Sequence, residues 1–268
     1  MTDLGVGLVG SAGRMGCTLV RRIAATDGCR LVAANEQPGH DALGRDAGEV
    51  AGVGALGVAI ADNSRALFDA ADVVIEFSSP AATVAHAMLA AETGTAHVIG
   101  TTGLNDDQAG EVAAAATKVP IVWAPNMSVG VNILLAMTKQ VAGILGDDYD
   151  IEIVEMHHRH KIDAPSGTAL GLGKAAAAGR GVDLDAVAAR GRDGITGARN
   201  AGDIGFAVLR GGDVVGDHTV VFAADGERLE IGHKASSRDV FANGAVRAAL
   251  WTRGRAAGLY GMADVLGL

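Results

Sequence analysis

Aromatic side chains are scarce: two Trp, two Tyr and five Phe make up 3% of 268 residues. A core therefore has to be built from aliphatic side chains and alanine, which the 49% apolar share permits. Only two cysteines occur, Cys17 and Cys29, and they form neither a metal-ligand spacing nor a disulfide framework. That scarcity suits a reducing compartment. Basic charge is also short, with 22 Lys and Arg against 31 Asp and Glu and a net charge of −9. Such a balance argues against a nucleic-acid or anionic-membrane surface. No run of roughly 18 apolar residues is read, so no membrane span is expected. The N-terminus lacks a basic region followed by an apolar signal core. The expectation is a soluble cytoplasmic protein. Fixed-period repeats and long low-complexity tracts are missing too. The length allows one large or two modest domains.

Groups able to move a proton near neutral pH are concentrated in one stretch, Glu155-Met-His-His-Arg-His-Lys-Ile-Asp-Ala-Pro-Ser-Gly-Thr168. Ile151 and Ile153 alternate with Glu152 and Val154 ahead of it, the period of a strand. His157 and His158 point to opposite faces if that strand continues. Both reach one pocket only if it ends there, with Arg159 to Lys161 as the loop. Pro165 suits the first helical position, and Asp163 and Ser166 are candidate caps. Ser166, Gly167 and Thr168 then open a helix whose free N–H groups favour a carboxylate or phosphate. An imidazole and an amine beside such a site make an acid next to an anchored acidic substrate. A zinc site fits less well, because His157-His158-x-His160 lacks the i, i+4 pair with a glutamate and no cysteine is near. Ser166 lacks the strand–turn–helix elbow of a nucleophile.

The N-terminal third has a second pattern. Leu4 to Val9 reads as a strand, Gly10-Ser-Ala-Gly13-Arg-Met-Gly16 as a turn, and Cys17 to Ala25 as a helix. Strand, glycine turn and helix form the context a dinucleotide needs, although the spacing is G-x-x-G-x-x-G. Arg30 to Asn35 is a further strand that ends at Glu36, twenty residues beyond Gly16. A carboxylate there accepts the adenosine ribose hydroxyls. Gln37 stands where a basic residue often meets a 2′-phosphate, which tilts the choice toward NADH. Arg14 leaves NADPH open. Strands are also expected at Leu56 to Ile60, Asp72 to Phe77, His97 to Ile99 and Pro120 to Ala124, with helices at 81–93 and 106–117 between them. Alternation of this kind argues a parallel sheet covered by helices. Ligands gather past the carboxyl ends of such strands. That places Phe77 and Ser78, Gly100 to Gly103, and Ala124 to Met127 around the nicotinamide half.

After about residue 130 the pattern changes. Val131 to Leu145 reads as an amphipathic helix, and Arg190 to Gly202 as a mobile loop. Its Arg192 and Arg199 are candidates for holding an acidic substrate, though as solvated charges first. Ile204 to Arg210, Val214 to Ala223 and Glu227 to His233 read as an antiparallel meander. Gly211-Gly212 and Asp225-Gly226 are its hairpin turns. With the strand at 150–157 it makes a second sheet whose open face invites a partner subunit. Asp239 to Arg253 is a helix expected to return to the first domain. The fold class is α/β: a Rossmann-type dinucleotide-binding domain over 1–128 and 239–268, and a second α+β domain over 129–238 on a mostly antiparallel mixed sheet.

Five motifs together resemble the dihydrodipicolinate reductases of lysine and diaminopimelate synthesis. They are Gly10-x-x-Gly-Arg-Met-Gly16, Gly100-Thr-Thr-Gly103, Asn126-Met-Ser-Val-Gly-Val-Asn132, Glu155-x-His-His-x-x-Lys-x-Asp-Ala-Pro-Ser-Gly-Thr-Ala169 and His233-Lys-Ala-Ser-Ser-Arg238. The resemblance spans essentially the whole chain. It implies reduction of 4-hydroxy-tetrahydrodipicolinate by NADH or NADPH, with His157 as acid/base and Lys161 as proton donor. It implies that His158, Lys161, Ser166, Gly167 and Thr168 hold the carboxylates, with Thr102 nearby. It further implies that Gly10, Ser11, Ala12, Gly13, Arg14, Met15, Glu36, Gly100, Thr101, Thr102, Ala124, Pro125, Asn126 and Met127 line the cofactor. A homotetramer joined through second-domain sheets is implied as well. Gln37 departs from the Arg that many members carry there. No metal is expected.

Overall fold

A computed structural model describes residues 2–268. The chain divides into two compact units. One runs to Val129 and resumes over Arg238–Gly267, and the other is Gly130–Ser237.

In the first unit, strands and helices alternate: β1 (Leu4–Val9), α1 (Arg14–Ala24), β2 (Cys29–Asn35), α2 (Ala47–Ala51), β3 (Ile60–Ala61), α3 (Ser64–Ala70), β4 (Val73–Glu76), α4 (Pro80–Thr93), β5 (Ala96–Ile99), α5 (Asp106–Ala116) and β6 (Pro120–Trp123). The second unit carries α6 (Val129–Leu145), β7 (Asp150–His157), α7 (Gly167–Arg180), α8 (Leu184–Val187), β8 (Ala188–Ala189), β9 (Ile204–Arg210), β10 (Gly216–Ala224) and β11 (Glu227–Ala235). The chain ends with α9 (Asp239–Trp251), β12 (Gly258–Tyr260) and α10 (Met262–Leu266), which belong to the first unit.

The first sheet is parallel and ordered β12-β6-β5-β4-β1-β2-β3. Sequence order reverses between β1 and β4, which is where doubly wound sheets open a crevice at their carboxyl ends. Its strands β1, β4 and β5 are buried on both faces, and Leu4–Val9 reads as a continuous apolar run. One face packs Leu8, Ile75 and Val98 against Leu19 and Ile23 of α1 and Ala245 and Ala249 of α9. On the other, Val74 and Ile121 meet Phe68, Ala87 and Val112 of α3, α4 and α5. Full burial of one such Leu or Ile is worth about 1.5–3 kcal/mol. The strand expected over Leu56 to Ile60 shrinks to the two residues of β3, because Gly54 and Gly57 adopt positive φ just before it.

The second sheet is mixed, ordered β11-β10-β7-β9-β8. Here the expected meander is wrong. β9 does not form a hairpin with β10 across Gly211-Gly212. Instead β7 lies between them, parallel to β9 and antiparallel to β10. β7 hydrogen-bonds both neighbours along its length and turns Ile151, Ile153, Glu155 and His157 to its buried face. The β10–β11 hairpin at Asp225-Gly226 is present. α6 and α7 pack Leu134, Ala142, Leu172 and Ala176 onto Ile151, Ile153, Val220 and Phe222. By length and composition alone, the segment Val129–Asp148 is apolar enough to cross a bilayer. Its Val131, Leu134, Thr138 and Ala142 are buried, while Ile133, Met137 and Ile144 are exposed.

Candidate functional site

Two sets of groups stand out, one in each unit. In the first, β1 ends at Val9 and the chain turns at Gly10, whose φ of +69° disfavours any L side chain. A Cβ at Gly16 would lie 2.0 Å from the Gly10 carbonyl oxygen, so α1 can approach the turn only with glycine there. The start of α1 at Gly13 has no side-chain cap, which leaves its first-turn N–H groups for an anion. Glu36 follows the end of β2 and accepts the Ala12 N–H at 2.9 Å, tying the carboxylate to the turn. Ser11 is buried, its hydroxyl donating to the Asn35 carbonyl at 3.2 Å. A crevice of about 560 Å³ opens here, lined by Gly10, Gly13, Glu36, Gln37, Phe77 and Ser78 among others. Ala12, Met15 and Arg14 surround the same turn, with Arg14 exposed.

Farther along the carboxyl ends, the Thr101 hydroxyl accepts the Ser78 N–H at 2.9 Å, and the Trp123 indole donates to the Thr101 carbonyl at 3.2 Å. A Cβ at Gly100 would meet the Phe77 ring at 2.2 Å, so glycine is obligatory there. Thr102 and Pro125 are exposed, Asn126 is half-buried, and Ala124 is buried. The Met127 side chain is in the core, which leaves only its backbone for a ligand. A cradle that a Cβ would close, an uncapped helix start and a carboxylate at the second strand end fit a dinucleotide.

The second unit carries the histidines. β7 ends at His157, so His157 and His158 part company where the strand stops. The organising group is Glu155, 1% exposed. It receives both guanidinium nitrogens of Arg210 at 2.8 and 2.9 Å and the Ser166 N–H at 3.0 Å. His157 Nδ1 lies 2.6 Å from its Oε2. Burial opposes its ionisation, yet Arg210, His157 and the Ser166 N–H outweigh burial and hold the carboxyl below its ordinary value. His218, directly opposite on β10, shares a hydrogen bond of 3.1 Å with the Ser166 hydroxyl. Its ring stands edge-on to His157 with centroids 5.0 Å apart. Burial first, and the neighbouring His157 second, push His218 down to about 4.

The loop after β7 differs from expectation in two details. Pro165 is not the first helical residue but precedes the cap, because α7 starts at Gly167 with Ser166 as N-cap. Asp163 caps nothing; it pairs with Lys161 at 2.8 Å. Ser166 accepts the Ala169 N–H at 3.1 Å, so its hydroxyl and its own N–H are both engaged and it shapes the turn. Gly167 is exposed and Thr168 half-buried at the helix start, and His158 lies with its ring centroid 6.2 Å from that of His160. Arg192 and Arg199 are not at this cluster. Arg192 donates to both oxygens of Glu152, and Arg199 binds Glu152 and Asp150, pinning their loop to the sheet. Among the described residues no group of side chains has the makings of a metal site.

Sequence reading did not single out Glu155, Arg210 and His218 as members of this cluster. A signal was present for two of them: Glu155 and His157 are i and i+2 on the buried face of β7, and His218 lies on the buried face of β10.

A family model described as "Dihydrodipicolinate reductase, N-terminus" matches residues 4–127, and one described as "Dihydrodipicolinate reductase, C-terminus" matches 130–266. The chain is 57% identical over 264 residues to a 4-hydroxy-tetrahydrodipicolinate reductase of Ruegeria pomeroyi, covering 98% of both chains. It is 54% identical to that of Dinoroseobacter shibae, covering 100% of both. Among solved structures, a dipicolinate-bound dihydrodipicolinate reductase from Paenisporosarcina sp. TG-14 shares the fold with a TM-score of 0.75 at 23% identity, covering 98% of this chain and 99% of that one. Matched by both halves of the family and by full-length relatives above 50% identity, the chain belongs to the dihydrodipicolinate reductase family.

Proposed function

We propose that the chain reduces 4-hydroxy-tetrahydrodipicolinate to tetrahydrodipicolinate with NADH or NADPH, a step of lysine and diaminopimelate synthesis. In this reading the first unit is the cofactor domain, and Gly130–Ser237 is the substrate-binding and oligomerisation domain. Gly10, Ser11, Ala12, Gly13, Arg14 and Met15 take the pyrophosphate and Glu36 the ribose. Gly100, Thr101, Thr102, Ala124, Pro125, Asn126 and the Met127 backbone take the nicotinamide half. A bound nicotinamide supplies the hydride.

The substrate is a cyclic dicarboxylate, and the reduction needs a proton at its nitrogen or the conjugate position. Lys161 exchanges the exposed Asp163 for a substrate carboxylate and donates the proton. The Gly167 and Thr168 N–H groups at the start of α7 hold a carboxylate, with His158 assisting. His157, fixed through Nδ1 to Glu155, sets the local charge and position rather than giving the proton directly. One observation carries the reading. Glu155 binds His157 and the Ser166 N–H at once, so imidazole and anion-binding turn are locked to one carboxylate.

A homotetramer in the cytoplasm completes the proposal, supported by the exposed outer strand β11 with Leu229 on it. Sedimentation analysis checks the assembly. The site is tested with pyridine-2,6-dicarboxylate, a stable planar stand-in for the substrate, titrated calorimetrically. Lys161→Ala should weaken it at least about tenfold, the worth of one charge-assisted contact. Equal affinity in wild type and variant would remove Lys161 from the cradle.

A further inference from the structure

We propose that the adenosine end of the crevice selects NADH over NADPH, with Asp62 as a specificity-determining residue. The inference rests on the cofactor reading above and sharpens it. β3 lies beside β2 with Ala61 level with Asn35, and the Glu36 N–H donates to the Ala61 carbonyl at 2.9 Å. Asp62 therefore leaves the sheet next to Glu36, and both line the same crevice. Neither carboxylate has a cation partner among the described residues. Glu36 takes only backbone N–H groups, from Ala12 at 2.9 Å and Gln37 at 3.3 Å, and Asp62 is exposed.

Beside them lie an amide, a hydroxyl and two imidazoles, of which His86 is already held by Ser64 at 3.0 Å and Glu76 at 2.5 Å. Gln37 brings an amide. Ser64 accepts from the Asn35 amide at 2.9 Å. His40 accepts the Ala42 N–H on Nδ1 at 3.1 Å. Arg14 is exposed and is not part of the lining. Ribose hydroxyls are proton donors and are served by carboxylates. A 2′-phosphate brings close to two negative charges and needs cations or donors instead. Two unpaired carboxylates at one edge of the crevice thus favour the hydroxyl form of the ribose and repel the phosphorylated one.

The test is a titration of the full-length protein with NADH and with NADPH, followed by fluorescence, together with kcat/KM for each cofactor. Wild type should favour NADH, and the preference should shrink in high salt as charge is screened. Asp62→Asn should raise the NADPH-to-NADH ratio of affinities about fivefold, the effect of one charge acting through solvent at several ångströms. Asp107→Asn, an exposed acid on α5 away from the crevice, should leave the ratio alone. A wild-type preference for NADPH, or an Asp62→Asn ratio equal to wild type, would overturn the inference while leaving the reductase reading intact. Failure to bind either cofactor would overturn both.

Discussion

Replacing Glu155 with glutamine perturbs the cluster at its centre while keeping its shape. The carboxylate accepts four hydrogen bonds: Arg210 twice, His157 Nδ1 and the Ser166 N–H. A glutamine oxygen can keep the Ser166 N–H and one Arg210 bond. Its NH₂ then faces the other Arg210 nitrogen and His157 Nδ1, donor against donor. His157 must move its proton to Nε2 to accept from it, and Arg210 loses one charge-assisted bond outright. Such a bond is worth about 1.5–3 kcal/mol. Arg210 is 21% exposed, so water offsets part of the loss. A net cost of about 2 kcal/mol follows. If the second unit, of about 110 residues, melts by itself, that lowers its Tm by roughly 8–10 °C. The tautomer change disturbs the charge and position that His157 sets, so kcat should fall about tenfold, with a smaller change in KM. It should also remove an acid-limb contribution. The folded carboxyl titrates below its ordinary value, so its stability is present above about pH 4.5 and is lost as pH falls through the depressed value. Differential scanning fluorimetry and NADH oxidation at several pH values measure all three effects. A variant with wild-type turnover and a Tm within 1 °C, on the order of measurement error, would refute the assignment of Glu155 as the positioning residue.

Two further outcomes are expected. His218 and His97, both buried, titrate at about 4 against an ordinary 6.5, so the unfolded chain binds more protons between those values. Stability should be complete above pH 6.5 and fall as pH drops toward 4, and His218→Gln should flatten that slope in Tm measured across pH. Gly16→Ala should abolish NADH binding in the same fluorescence titration and cost several kcal/mol, because its Cβ would sit 2.0 Å from the Gly10 carbonyl.

The parallel sheet was legible because strands buried on both faces read as apolar runs, and Leu4–Val9 stands in the structure as it stands in the pattern. The glycine turn was legible because its chemistry is local. Strand partners were not. Gly211-Gly212 looks like a hairpin, but a local turn pattern says nothing of a strand more than 50 residues earlier in the chain, and β7 takes the place beside both neighbours. Pro165 marked a boundary correctly in kind and two residues early. Around Glu155, the neighbours contiguous in sequence could be read from the pattern, whereas Arg210 and His218 come beside it only through sheet register, 55 and 63 residues away along the chain.

The central claim is that an amine and an imidazole set in the second unit serve the reduction. The decisive measurement is oxidation of NADH and NADPH, side by side, with freshly made condensation product of aspartate semialdehyde and pyruvate. The account predicts turnover by wild type and a loss of about 10²–10⁴-fold in Lys161→Ala and His157→Ala, with NADH still bound. Wild-type turnover in both variants would contradict it.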